Sequence, residues 1–112
     1  MTRGDDLRLE DILDACAEVS AVVALADHPK CPRWVLTRAL ERLLEIIGEA
    51  SQALEETTRD EFAQVPWRDI TRLRIVLAHH DQRVDADQVW AIAQREIPRL
   101  ADSLRGGAGP SL

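Results

Sequence analysis

Arg74 and His79 are separated by four residues in the stretch Trp67-Arg-Asp-Ile-Thr-Arg-Leu-Arg-Ile-Val-Leu-Ala-His79-His80-Asp81. A planar guanidinium grips a phosphate through two parallel hydrogen bonds, and an imidazole exchanges a proton near neutral pH. Together they are the pairing that RNA cleavage without a metal requires. Arg72 with His79, and Arg74 with His80, also fall within a loose spacing of four to six intervening residues. On an unbroken helix His80 would lie beside Leu73 and Leu77, so spacing alone leaves the histidine open. The run His79-His80-Asp81 does not read as a metal site, because adjacent side chains on one helix diverge.

A chain of 112 residues with 46% hydrophobic and 30% charged residues has room for one core and one domain. Few glycines and prolines suit a helical protein. The cations are thirteen arginines and one lysine, Lys30, a usage that goes with a biased genome as much as with arginine chemistry. A net charge of -6 argues against a protein that coats nucleic acid non-specifically, since counterion release rewards a broad basic surface. Charge is balanced locally instead: Arg68, Arg72, Arg74 and Arg83 stand against Asp69, Asp81 and Asp85. Cys16 and Cys31 lack CxxC spacing and read as small core residues of a reducing cytoplasm. No apolar run reaches membrane-span length, and the first residues have no signal-peptide pattern, so a cytoplasmic protein is expected.

The elements that must hold these side chains follow from periodicity. Leu9, Ile12, Leu13, Cys16, Val19, Val23 and Ala26 predict a helix over residues 6–26, closed by Asp27-His28-Pro29. Pro32 suits the first turn of a second helix whose wide face, from Leu36 to Leu54, marks it as the most buried. Thr58-Arg-Asp-Glu61 has the capping-box pattern and predicts a short helical turn over residues 58–64. Pro66 then opens a helix with the stripe Trp67, Ile70, Leu73 and Leu77, on which Arg74 falls, while Arg72 points away. Arg74 is therefore expected to be buried, needing either an acid such as Glu49 or a function. The last helix has Asp85 as N-cap, Gln88 at the capping-box position and Val84 stapled to Val89. Its buried face is Val89, Ala93, Ile97, Leu100 and Leu104, with a kink at Pro98. Trp34, Trp67 and Trp90 could stack RNA bases, but at helical spacing with apolar neighbours they read as core residues, and Glu41, Glu45, Glu49, Glu55 and Glu56 read as a solvated face. The sum is an all-α, antiparallel four-helix bundle with an additional short helical turn, over residues 1–105, followed by a flexible tail at 106–112.

Arg8-Leu-Glu-Asp-Ile-Leu, Ile47-Gly-Glu-Ala50, Pro66-Trp-Arg-Asp-Ile70, Arg74, His79, Val84-Asp85, Val89-Trp90 and Ile97-Pro98 together resemble the HepT-like branch of the HEPN superfamily. That resemblance implies a HEPN-like bundle and the ribonuclease toxin of a toxin–antitoxin system. The toxin would be a homodimer with the arginine and histidine of both protomers in one cleft, neutralised by an MntA-like nucleotidyltransferase antitoxin. Carried over by position, the catalytic pair is Arg74 and His79. His80, Arg72, Asp81 and Glu49 are accessory, and neither metal nor cofactor is implied. Two positions depart from the pattern. Ile75 replaces a polar residue, often Asn, after the arginine, and Asp81 replaces the tyrosine that accepts AMP in the AMPylated branch. These departures support a second reading: a catalytically weakened HEPN dimer that binds its nucleotidyltransferase partner or a nucleotide.

Overall fold

A computed structural model describes residues 2–78 and 86–106 of the chain. The described residues are helices and turns: α1 (Arg3–Val23), α2 (Arg33–Ala53), α3 (Glu56–Glu61), α4 (Trp67–Ala78), α5 (Ala86–Ala91), a π-helical turn at Ile92–Glu96, and α6 (Ile97–Gly106). α5, the π turn and α6 follow one another without a break, so the bundle has four long elements plus α3.

α1 starts three residues earlier than periodicity predicts, because the Thr2 hydroxyl accepts the Asp5 amide at 3.1 Å and caps the first turn. It also ends earlier. From Leu25 onward the amides bond three residues back, tightening the chain into turns before His28.

α2 is the centre of the fold and packs against α1, α4 and α5. Leu36, Leu40, Leu44, Ile47 and Leu54 are all buried, as the wide apolar face requires. Its partner α4 runs antiparallel. Gly48 meets Arg74, and Leu77, one turn further along α4, shares a cleft with Arg38, Glu41, Arg42 and Glu45, earlier on α2. A β-carbon at Gly48 would lie 2.6 Å from the Arg74 amide nitrogen and 3.2 Å from both the Arg74 β-carbon and the Ile70 carbonyl oxygen. The missing side chain is what lets the two backbones approach.

α3 is fixed from three sides. The Asp5 carboxylate of α1 accepts the Glu55 amide at 3.2 Å and the Thr58 hydroxyl. Trp67, opening α4, donates its indole N–H to the carbonyls of Arg59 and Phe62. The Arg59 guanidinium reaches the Ser51 carbonyl of α2 at 3.3 Å. Thr58 is therefore not the cap that its sequence pattern suggests: the helix begins two residues earlier, and Asp5 serves its first turn from fifty residues upstream.

At the far end, Trp90 is buried, donates to the Thr37 hydroxyl at 2.8 Å, and carries the Arg33 guanidinium 4.1 Å above its ring. Val89, Ala93, Ile97, Leu100 and Leu104 are buried as expected. The distortion expected at Pro98 takes the form of the π turn, in which the Ile97 amide bonds back to Ile92. Pro98 has no amide to give and its ring would crowd the carbonyl four residues before it, so a wider turn relieves both problems. Of the predicted staple and cap, Val84 and Asp85 lie outside the described residues. Burial pushes the Cys16 thiol up to about 11, which keeps it protonated and inert in the core, while Cys31 is half-buried.

Two outcomes follow from this packing. Gly48→Ala gains helix propensity but forces α4 away from α2, and a net loss of roughly 1–3 kcal/mol in urea unfolding is expected; a variant as stable as the parent would show that α4 can shift freely. Asp5 has its carboxyl held below the usual range, by the Thr58 hydrogen bond first, against the opposing effect of burial, with the Glu55 amide and Arg8 adding to it. A depressed folded pKa means stabilisation that is present above about pH 4, the unfolded value, and fades as pH falls through the folded one. Asp5→Ala should therefore lower the thermal midpoint at pH 7, and its deficit should shrink below about pH 4.

Candidate active site

α4 presents the arginines in two directions. Arg72 lines a groove of about 440 Å³ between α4 and the α5–π segment, with Asp69, Gln88 and Glu96 at its rim and Leu73 and Val89 at its floor. Arg74 instead faces α2 at the Gly48 contact. The two side chains therefore leave α4 on opposite sides.

Arg74 is exposed, whereas its place on the apolar stripe predicts burial. Ile70, Leu73 and Leu77 of that stripe are buried and Trp67 is half-buried. The difference has a physical source. At position 74 it is the backbone and β-carbon that press on Gly48, and a long side chain rooted at such a contact can carry its charged head out to water. Glu49 does not neutralise it. Glu49 lies 3.4 Å from Arg42, which also pairs with Glu45, and it borders a different groove with Asp11, Asp14 and Glu18 of α1. Among the described residues Arg74 has no ion-pair partner.

Next to Arg74, Ile75 leaves about half of its surface, 49%, in solvent. Beyond it, Leu77 reaches the cleft of about 360 Å³ that Arg38, Glu41, Arg42 and Glu45 complete. This cleft lies at the last described turn of α4, Trp67–Ala78. His79, His80, Asp81 and Arg83 lie outside the described residues, so the structure bears on the arginine half of the expected pair only. Among the described residues no group of three or more His, Cys, Asp or Glu side chains could hold a metal ion. Nor is any described helix long and apolar enough to cross a membrane.

Two features escape the sequence reading. Gly48 sits inside the Ile-Gly-Glu-Ala block, but its contact with α4 is a tertiary fact with no local signature beyond the glycine itself. Trp34, expected in the core with the other tryptophans, is 70% exposed. The correction has a local cause: Arg33, Trp34 and Val35 form the first turn of α2, and the turn packs inward through Leu36 and Thr37.

The sequence profile of the family described as ribonuclease HepT-like matches residues 9–105. The chain is 37% identical over 100 residues to a protein of Caldanaerobacter subterraneus subsp. tengcongensis named as an inferred RNase, covering 87% of this chain and 88% of the relative. It is 32% identical over 93 residues to one of Methanocaldococcus jannaschii, again named as an inferred RNase, covering 82% and 85%. A protein of Thermococcus cleftensis named as an inferred ribonuclease HepT shares 37% identity over 62 residues, 55% of this chain and 56% of that one. No solved structure matches.

Exposure of Arg74 makes it separable from the fold. Arg74→Ala should leave stability within about 0.5 kcal/mol of the parent in urea unfolding; a loss above about 2 kcal/mol would instead mark a structural arginine.

Proposed function

Because the chain belongs to the ribonuclease HepT-like family, within the HEPN superfamily, we propose that it is a metal-independent endoribonuclease, the toxin of a HepT/MntA-type toxin–antitoxin system in the cytoplasm. The observation that carries this reading is Arg74: an exposed cation with no ion-pair partner among the described residues, on the last turns of α4, five positions ahead of His79. In the proposed reaction the 2′-hydroxyl oxygen of a ribose attacks the adjacent phosphorus. One His79 takes the hydroxyl proton, the bond to the 5′-oxygen breaks, and a second imidazole supplies the proton that the leaving oxygen needs. The products are a 2′,3′-cyclic phosphate and a 5′-hydroxyl. Arg74 donates to the phosphoryl oxygens, on which negative charge accumulates as the attacking oxygen adds.

A homodimer formed through the face that carries α4 supplies both imidazoles in one cleft. Arg72, which opens onto a separate groove, is accessory to that pair, as are Glu49, His80 and Asp81. Ile75 favours the second reading, a weakened dimer that binds its nucleotidyltransferase partner, since a half-exposed aliphatic residue beside the arginine suits a protein surface better than RNA.

The purified protein, in the presence of a chelator, should cleave RNA to cyclic-phosphate ends. Arg74→Ala and His79→Ala should each lower the rate by about 10²–10⁴. Loss in His80→Ala with retention in His79→Ala would move the histidine by one position; full activity in both would overturn the ribonuclease mechanism. Light scattering at micromolar concentration should give a dimer mass. Since the chain contains no tyrosine, a nucleotidyltransferase partner should bind it without changing its intact mass. An added AMP on a peptide containing Asp81 would contradict silencing by binding alone.

A further inference from the structure

Among the described residues Trp34 is the largest apolar side chain left in solvent, and its neighbours in sequence are basic. Unlike Trp67 and Trp90, its indole nitrogen bonds nothing among the described residues. The chain carries 20 acids in 112 residues, yet residues 28–40 contain none and include Lys30, Arg33 and Arg38. This is the longest acid-free stretch; the next is 70–80, which contains Arg72 and Arg74. The antiparallel packing of α2 on α4 carries the last described turn of α4 toward the first turns of α2, because α4 runs in that direction from the Gly48 level. Arg38 spans the gap, standing one turn after Trp34 and lining the cleft that Leu77 closes. The Leu77 cleft itself is balanced, with Arg38 and Arg42 against Glu41 and Glu45, and the acid-free stretch lies on its Trp34 side.

We infer that Trp34, one turn before Arg38 and in the same acid-free stretch as Lys30, is a stacking platform for a base of single-stranded RNA, outside the reacting phosphate. Stacking on an exposed aromatic ring next to cations is the general mode by which proteins hold single strands, since every base has a π-face and every phosphate a charge. The ring is already solvent-exposed, so covering it with a base buries apolar surface without opening the core. The acids closest in sequence are Asp27 and Glu41. Glu41 holds Arg38 at 3.2 Å on the surface, an arrangement weak enough for a phosphate to displace. From Trp34 to Gly48, where the Arg74 side chain is rooted, is roughly 21 Å along the α2 axis at about 1.5 Å per residue. An RNA strand with its reacting phosphate near Arg74 would therefore reach the indole within a few nucleotides.

This inference rests on the ribonuclease reading for its ligand but is tested separately from it. The probe is a fluorescent single-stranded oligonucleotide with 2′-O-methyl groups throughout, which binds but cannot be cleaved. Trp34→Ala should weaken binding by about tenfold or more, and Trp34→Phe should recover most of it. The thermal midpoint of both variants should match the parent, as befits an exposed position. Unchanged affinity in Trp34→Ala would overturn the platform while leaving cleavage by Arg74 and His79 intact. Trp34-dependent binding without any cleavage of ordinary RNA would support the platform and defeat the ribonuclease reading. A parent protein that binds no oligonucleotide, or a Trp34→Ala variant whose mass falls from dimer to monomer, would overturn it, the latter by assigning the indole to a protein contact.

Discussion

The approach of α4 to α2 across Gly48 is the constraint on which the rest of this molecule depends. A glycine inside a 21-residue helix is unfavourable on its own, by roughly 0.5–1 kcal/mol relative to alanine. It is tolerated here because the Arg74 backbone occupies the space a β-carbon would take. The contact fixes which face of α4 meets α2 and how far along the pair is aligned. The rooting point of the Arg74 side chain follows from that alignment. So does the cleft that Leu77 shares with Arg38, Glu41, Arg42 and Glu45.

A second, polar set of contacts holds the opposite end. Asp5 is buried, and its two oxygens have different fates. Oδ2 accepts from Glu55 and Thr58, whereas Oδ1 is buried without a hydrogen bond and lies 3.6 Å from Arg8. An ionised group taken out of water needs such partners to remain charged. The benefit extends along the chain: α3, ordered by Asp5, offers the carbonyls that orient Trp67, and Trp67 is the first residue of the helix that carries the arginines.

Much of this was legible from residue types. Periodicity located every long helix, and the wide face of α2 identified the central one, because burial of apolar stripes is a property each segment announces by itself. What stayed hidden depends on pairs distant in sequence. Thr58 looks like a cap because the local pattern says so, yet its hydroxyl is committed to Asp5. Arg74 falls on an apolar stripe, yet the spacing of residues says nothing of where the end of a long side chain goes once its β-carbon is pinned. Trp34 shares its residue type with Trp90 and not its fate, since only the position of the first turn of α2 relative to α5 separates them. The arginine–histidine pair is a pattern in the sequence alone: Arg74 has a place in the fold, and His79 falls outside the described residues.

The π turn at Ile92–Glu96 has a bearing on how the sequence can vary. Such a turn closes over one residue more than an α-helical turn, so it amounts to a single inserted residue. Deleting one residue from it would restore regular winding and leave Leu100 and Leu104 facing the core with Val89 and Trp90, because the wider turn already absorbs the extra residue. Deleting one from the α-helical turns on either side would instead rotate everything beyond it by about 100°, at 3.6 residues per turn. The π turn is thus a place where this helix can change length by one residue and keep its helical phase.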